Sequence, residues 1–378
     1  MNSNTPKTWD IFCRVIDNYG DIGVCWRLAR QLVNEHNQSV RLWVDDLHAL
    51  IRIWPSARMG AQQWLEGIDV RQWPAEFDST IEPAAVVVEA FACDIPVNYL
   101  QKMALLKTQS HPPRWINLEY LSAEAWVEEC HGMASIHPAT GLRKTFFFPG
   151  FGAGTGGLLR EQTLLAQRDR FDKLSWLAQK GITPAESSLL ISLFAYENPT
   201  VHGLLEAWQN SPQPIHCLVP EGKVLSSINQ YFGKTLVVGE RLNVGAVTLE
   251  VIPFLTQLEY DQLLWACDIN FVRGEDSLVR ALWAGKPLVW QIYVQDEDAH
   301  LVKLKAFLQA YAPINPLLSP ALHQFWQDWN EQGDTEQSWN RLVGLLPEWS
   351  AHAHCWSHAL SQAPDLAQQL VKYCHKTG

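Results

Sequence analysis

One pattern limits the folds open to this chain: strand-length apolar runs alternate with amphipathic stretches, and the alternation starts twice. The first round opens with a strand over residues 11–16, a polar loop over 17–23 and a helix over 24–35, where Val24, Leu28 and Leu32 recur at helical spacing. Further strands are predicted over 39–44, 68–73, 85–91, 115–118 and 145–148, with helices near 47–53, 97–106 and 123–130. The strand over 85–91 is rich in valine without alternation, as expected of a strand covered on both faces. After a glycine-rich stretch and a charged helix near 158–179 the second round predicts strands over 188–194, 215–219, 248–254, 269–272 and 287–290. Its helices fall over 201–209, 224–232, 258–266 and 277–283, and more helix follows over 298–310, 322–330, 336–345 and 365–373. Two βαβ systems joined near 160–185 predict an α/β chain with two Rossmann-like, doubly wound lobes. Such sheets bind ligands beyond the carboxyl ends of their strands, so two in tandem predict lobes facing a central cleft.

Composition narrows the class. With 47% hydrophobic and 18% charged residues over 378 positions the chain is globular and of about two domains, neither disordered nor coiled-coil. Its net charge of -11 speaks against a general nucleic-acid binder, whose footprint is basic. No apolar run reaches the roughly 18 residues of a membrane span, and the first residues lack the apolar stretch of a signal peptide. The eight cysteines form no CxxC pair and read as buried free thiols of a cytoplasmic protein. Most of the 18 tryptophans, Trp26, Trp43, Trp115 and Trp265 among them, read as core.

Two strand-end motifs carry chemistry. Asp17-Asn18-Tyr19-Gly20-Asp21-Ile22-Gly23 joins the first strand to the first helix, with glycines permitting positive φ or close backbone approach. The spacing is not GxGxxG, and an acidic loop repels phosphate but suits a cationic or proton-donating group. Capping of the helix by Asp17 or Asp21 is the plainer alternative. In the second lobe, Arg273-Gly274-Glu275-Asp276-Ser277 offers a bidentate donor, a close approach and a helix start opened by Asp276 or Ser277, which together suit a nucleotide diphosphate. Glu275 suits ribose or sugar hydroxyls; an ordinary cap with a surface arginine is the competing reading. The run over 150–157 reads equally as a phosphate cradle or a hinge, without the Lys-Ser/Thr ending of a P-loop. His352, His354, Cys355 and His358 lack the pattern of a zinc site, Asp45-Asp46 is not DxD, and no GxSxG elbow occurs.

Taken with Phe147-Phe148-Pro149-Gly150-Phe151 and Thr155-Gly156-Gly157-Leu158-Leu159-Arg160-Glu161, these motifs resemble, in order and spacing over essentially the full length, the elongation factor P arginine rhamnosyltransferase (EarP) family. The resemblance implies a GT-B-type glycosyltransferase fold: residues 1–165 as acceptor-binding domain, with a C-terminal helix over 357–378 packing back on it, and 180–355 as nucleotide-sugar donor domain. It implies inverting, metal-independent transfer of L-rhamnose from the co-substrate dTDP-β-L-rhamnose, without a cofactor, to one arginine on the folded N-terminal domain of an acidic elongation factor P, activating that factor for rescue of polyproline-stalled ribosomes. Neither nucleic acid nor membrane is implied as a partner. The family's catalytic aspartate falls on Asp21, with Asp17 as a second essential carboxylate and Glu275 as critical. Donor contacts fall on Asn18, Tyr19, Gly20, Phe194, Tyr196, Phe254, Tyr260, Arg273, Gly274, Glu275, Asp276 and Ser277. A tyrosine at 260 departs from an expected phenylalanine, and its hydroxyl needs a partner. Two alternatives accompany this expectation: a nucleotide-sugar 2-epimerase of the same fold, or a non-catalytic elongation factor P binding protein.

Overall fold

The computed structural model describes residues 7–16, 19–74, 76–108, 112–312 and 315–375. The chain forms two compact units, one of Met1–Gln162 with Ala363–Gly378 and the other of Thr163–Gln362.

In the first unit, β1 (Thr8–Cys13), α1 (Gly20–His36), β2 (Ser39–Val44), α2 (Leu47–Ile53), β3 (Gln62–Leu65), β4 (Ile68–Gln72), β5 (Val86–Ala90), α3 (Val97–Thr108), β6 (Arg114–Leu118), α4 (Trp126–Cys130), β7 (Ala134–Ile136) and β8 (Arg143–Phe147) follow in order. Their sheet runs β3-β4-β2-β1-β5-β6-β8-β7. Pairing is parallel except at the two edges, where β3 and β7 run antiparallel to β4 and β8. Central position explains the unbroken burial of β5 and of β1 beyond its first residue. Asp10, fully buried in β1, is satisfied by Arg41, Tyr99, Trp43 and the Ala84 amide, the full hydrogen bonding that a buried charge requires.

The second unit begins with α5 (Leu164–Asp169) and α6 (Lys173–Gln179) and continues through β9 (Leu189–Leu193), α7 (Val201–Gln209), β10 (Ile215–Pro220), α8 (Val224–Phe232), β11 (Arg241–Val244), β12 (Val247–Ile252), α9 (Gln257–Ala266), β13 (Ile269–Arg273), α10 (Gly274–Ala284) and β14 (Leu288–Gln291). Four helices close it: α11 (Ala299–Tyr311), α12 (Leu318–Glu331), α13 (Thr335–Val343) and α14 (Leu346–Ser361). The sheet order is β11-β12-β10-β9-β13-β14, parallel but for β11. The last helix, α15 (Leu366–His375), belongs to the first unit. It is tied there by Gln31 to Asp365 at 3.0 Å and by Lys7 Nζ to the Cys374 carbonyl at 2.6 Å.

Several expectations need correction. The helix expected from residue 24 begins at Gly20, with Gly23 N bonded to the Tyr19 carbonyl, so Gly20 and Gly23 are helical and use no positive φ. The single helix expected over 158–179 is two, because Asp172 caps a fresh start by accepting from Ser175 N. Edge strands β3, β7 and β11 and the long α14 were not expected; α14 carries Pro347 in its first turn, where proline is tolerated. The units divide at 162/163 and 362/363, so α5, α6 and residues 357–362 lie in the second unit. In the glycine-rich stretch, packing accounts for the glycines at 152 and 157. A side chain at Gly152 would run into the Glu128 carboxylate, and one at Gly157, φ +73°, into the Pro364 carbonyl.

Candidate active site

At the carboxyl end of β1 the chain must turn into α1, and two carboxylates, buried Asp21 and exposed Asp45, hold the turn. Asp21, in the first turn of α1 and 2% exposed, accepts from Ile16 N through Oδ2 at 2.7 Å. Its Oδ1 accepts from the Tyr120 hydroxyl at 3.4 Å. From the end of β2, Asp45 accepts from Val15 N at 2.9 Å. Asp21 therefore braces the preceding loop and does not cap α1, whose N-cap Tyr19 makes no side-chain cap bond. Asp17 and Asn18 lie outside the described residues. Below the loop Cys13, Cys25 and Cys93 are buried. The hydrogen bond with Cys25, then burial, raises the Cys13 thiol well above its usual range, so it stays protonated.

Neighbouring strand ends share this edge. Glu119, just past β6, is half-buried and accepts from the Asn117 amide; burial pushes its carboxyl above the usual range. Glu89 in β5 accepts from Trp115 Nε1 at 3.0 Å and Lys144 Nζ at 3.2 Å. The Phe91 and Tyr120 rings stack at 4.5 Å and 15°. Tyr120 was not a sequence candidate, although its place two residues beyond a predicted strand was the available signal.

In the second unit the motif at the end of β13 is buried. Arg273, 6% exposed, is no surface residue: its guanidinium lies 4.4 Å from the Phe194 ring centre and 4.8 Å from that of Tyr196. One of its nitrogens also reaches the Ala195 carbonyl at 3.5 Å. Gly274 opens α10 at φ +63°, a left-handed conformation that favours glycine, and its carbonyl accepts from Trp290 Nε1 at 2.8 Å. Because α10 starts there, Asp276 and Ser277 lie within the first turn rather than at its cap. Glu275, in the same turn, pairs with Lys303 of α11 at 2.6 Å. No local pattern announces Lys303, which sits in an ordinary helical stretch.

Tyr260 of α9 packs edge-on to Phe194 at 5.4 Å. Its hydroxyl is buried and has no hydrogen-bond partner among the described residues. Burial holds the phenol well above its usual range; Ser277 lies near enough to ease its ionisation but not in bonding geometry. The structure thus brings Phe194, Tyr196, Tyr260 and Arg273 together. Phe254 stands half-buried beyond the end of β12, two strands from β9 on the same sheet edge. Among the described residues no three His, Cys, Asp or Glu stand together as metal ligands; His352 Nε2 is engaged with the Tyr311 carbonyl at 2.6 Å. No described helix is long and apolar enough to cross a membrane.

The family described as Elongation-Factor P (EF-P) rhamnosyltransferase EarP matches residues 9–375. A relative from Pseudomonas putida named protein-arginine rhamnosyltransferase is 50% identical, the match covering 97% of this chain and 98% of the relative. A solved structure described as the structural basis for EarP-mediated arginine glycosylation of translation elongation factor EF-P is 37% identical, with TM-score 0.69 and coverage of 98% and 100%. Spinosyn forosaminyltransferase SpnP, at 10% identity, TM-score 0.53 and coverage of 98% and 100%, shares the fold, which is that of GT-B glycosyltransferases.

Proposed function

On the premise that this chain belongs to the EarP family, and is therefore a glycosyltransferase, we propose that it transfers L-rhamnose from dTDP-β-L-rhamnose to one arginine of elongation factor P, by inversion and without a metal. The observation that carries the reading is Asp21, a buried carboxylate fixed at the head of α1. Arginine is a poor nucleophile because its guanidinium keeps its proton at physiological pH. A carboxylate orients the attacking nitrogen and takes its proton as the bond to the anomeric carbon forms. Its anchor at Ile16 N leaves less reorganisation for the reaction to supply. Asp17, from the same loop, adds attraction for the cation.

The donor is read by the second unit. The flat Arg273 cation and the amides at the start of α10 stabilise the departing diphosphate, a role in which backbone N–H groups and a guanidinium replace a bound cation. Glu275, oriented by Lys303, takes donor hydroxyls. Phe194, Tyr196, Phe254 and Tyr260 supply the apolar and aromatic walls for thymine and ribose. Single in-line displacement gives inversion. The test is Asp21→Asn: transfer falls by at least the ~10²–10⁴-fold typical of one acid–base group, while calorimetric affinity for dTDP-rhamnose stays near wild type. Near-wild-type turnover by this variant overturns the reading.

A further inference from the structure

We propose that Tyr120 is a positioning residue for the transfer, aiming the Asp21 carboxylate through its hydroxyl; the inference rests on Asp21 acting as proposed above. Three non-glycine residues just past β5 adopt left-handed backbone: Phe91 at φ +57°, Ala92 at +52° and Asp94 at +55°. Such strained residues persist only where the surroundings over-determine them. Here the amides are all engaged. Phe91 N donates to the Leu118 carbonyl at 2.7 Å, Ala92 N to Asn117 Oδ1 at 3.2 Å and Asp94 N to Glu89 Oε1 at 3.3 Å. The segment is thus clamped to the ends of β5 and β6.

What the clamped segment delivers is the Phe91 ring, laid nearly parallel on Tyr120. With its ring held on one face, Tyr120 directs its hydroxyl to Asp21 Oδ1, while Ile16 N takes Oδ2. The two carboxylate oxygens are therefore addressed from different sides by a backbone amide and a phenol. At 3.4 Å the phenol bond is long for O–H···O, so its contribution lies less in stability than in the direction it gives the carboxylate.

The experiment uses the full-length protein with Tyr120→Phe, which keeps the ring on Phe91 and removes only the hydroxyl. Steady-state kinetics with dTDP-rhamnose and folded elongation factor P, together with melting temperature, separate the roles. The expected result is a kcat lowered about tenfold by the loss of the carboxylate's aim, with both KM values and the melting temperature unchanged. Unchanged kcat overturns the proposal and leaves Tyr120 a packing residue. A raised acceptor KM at unchanged kcat overturns it in favour of direct acceptor contact. If the variant melts early, restoring the packing with Tyr120→Trp must recover stability but not kcat; recovery of both contradicts a role for the hydroxyl. Asp21→Asn in parallel keeps the failures apart. Turnover surviving in that variant removes the premise, whereas turnover lost there and intact in Tyr120→Phe removes only the positioning role.

Discussion

Arg273 sets the demands on the proposed donor site at the scale of a single residue. Its delocalised guanidinium faces the Phe194 and Tyr196 rings, and Tyr196 is itself fixed through its amide to Gln291 at 2.8 Å. A lysine at 273 carries the same charge as a compact ammonium that cannot spread over both rings or grip two oxygens at once. Arg273→Lys is therefore predicted to weaken dTDP binding by about tenfold or more, near 1.4 kcal/mol, and Arg273→Ala by more still. Calorimetric titration checks this; wild-type affinity in the lysine variant would place the diphosphate elsewhere. Position at a strand end singled out Arg273, whereas Phe194, Tyr196 and Tyr260 were expected only from the family resemblance. Sequence did not show that they meet, since their contacts cross strands β9 and β13. Lys303 stayed hidden for a related reason: its carboxylate partner lies 28 positions earlier on another helix, with no local spacing to mark the pair.

Among the elements, central strands were legible and edges were not. β1, β5, β9 and β13 are apolar runs because both faces are covered, whereas β3, β7 and β11 are short, partly exposed and without such a run. The interior of the second sheet also carries a titrating group. His216 of β10 is buried, 2.8 Å from Glu250 of β12, which Arg241 of β11 also holds at 3.0 Å. Burial lowers the His216 pKa more than Glu250 raises it, so the folded unit prefers the neutral ring. The unfolded imidazole binds its proton near pH 6.5; this contribution is whole above that value and is lost as pH falls toward the lower folded pKa. The predicted consequence is an unfolding free energy that falls from pH 7.5 to 5.5 by at most about 1.4 kcal/mol per pH unit for this group, read as a lower melting temperature, with a smaller fall in His216→Gln. Glu35 and Glu119, whose carboxyls burial raises, act with the opposite sign, and comparing wild type with the variant subtracts them. Parallel pH dependence in the two proteins would show that His216 titrates alike folded and unfolded.

For the whole molecule, the twofold α/β plan and a join near 160–185 were legible because hydrophobic periodicity repeats, but the residues at which the chain divides were not. No composition break marks 162/163, and Leu366, Ala367, Leu370 and Cys374 show an apolar stripe on α15 without saying which sheet it covers. The motifs likewise pointed to a family, while the physics alone reached only an acidic strand end in one unit and a cationic one in the other. Net charge bears on the partner. At -11, this chain does not attract at long range the acidic factor that the proposal names, so the proposal requires local complementarity to a folded surface. A linear peptide around the target arginine is predicted to have a far lower kcat/KM than the folded N-terminal domain of elongation factor P, because it must be ordered on binding. Equal values would mean that a sequence motif suffices. The most direct measurement is the intact mass of elongation factor P after incubation with this protein and dTDP-β-L-rhamnose. The predicted result is the gain of one deoxyhexose, mapped to a single arginine and absent with Asp21→Asn; a factor left unmodified while the protein demonstrably binds the donor would contradict the proposed activity.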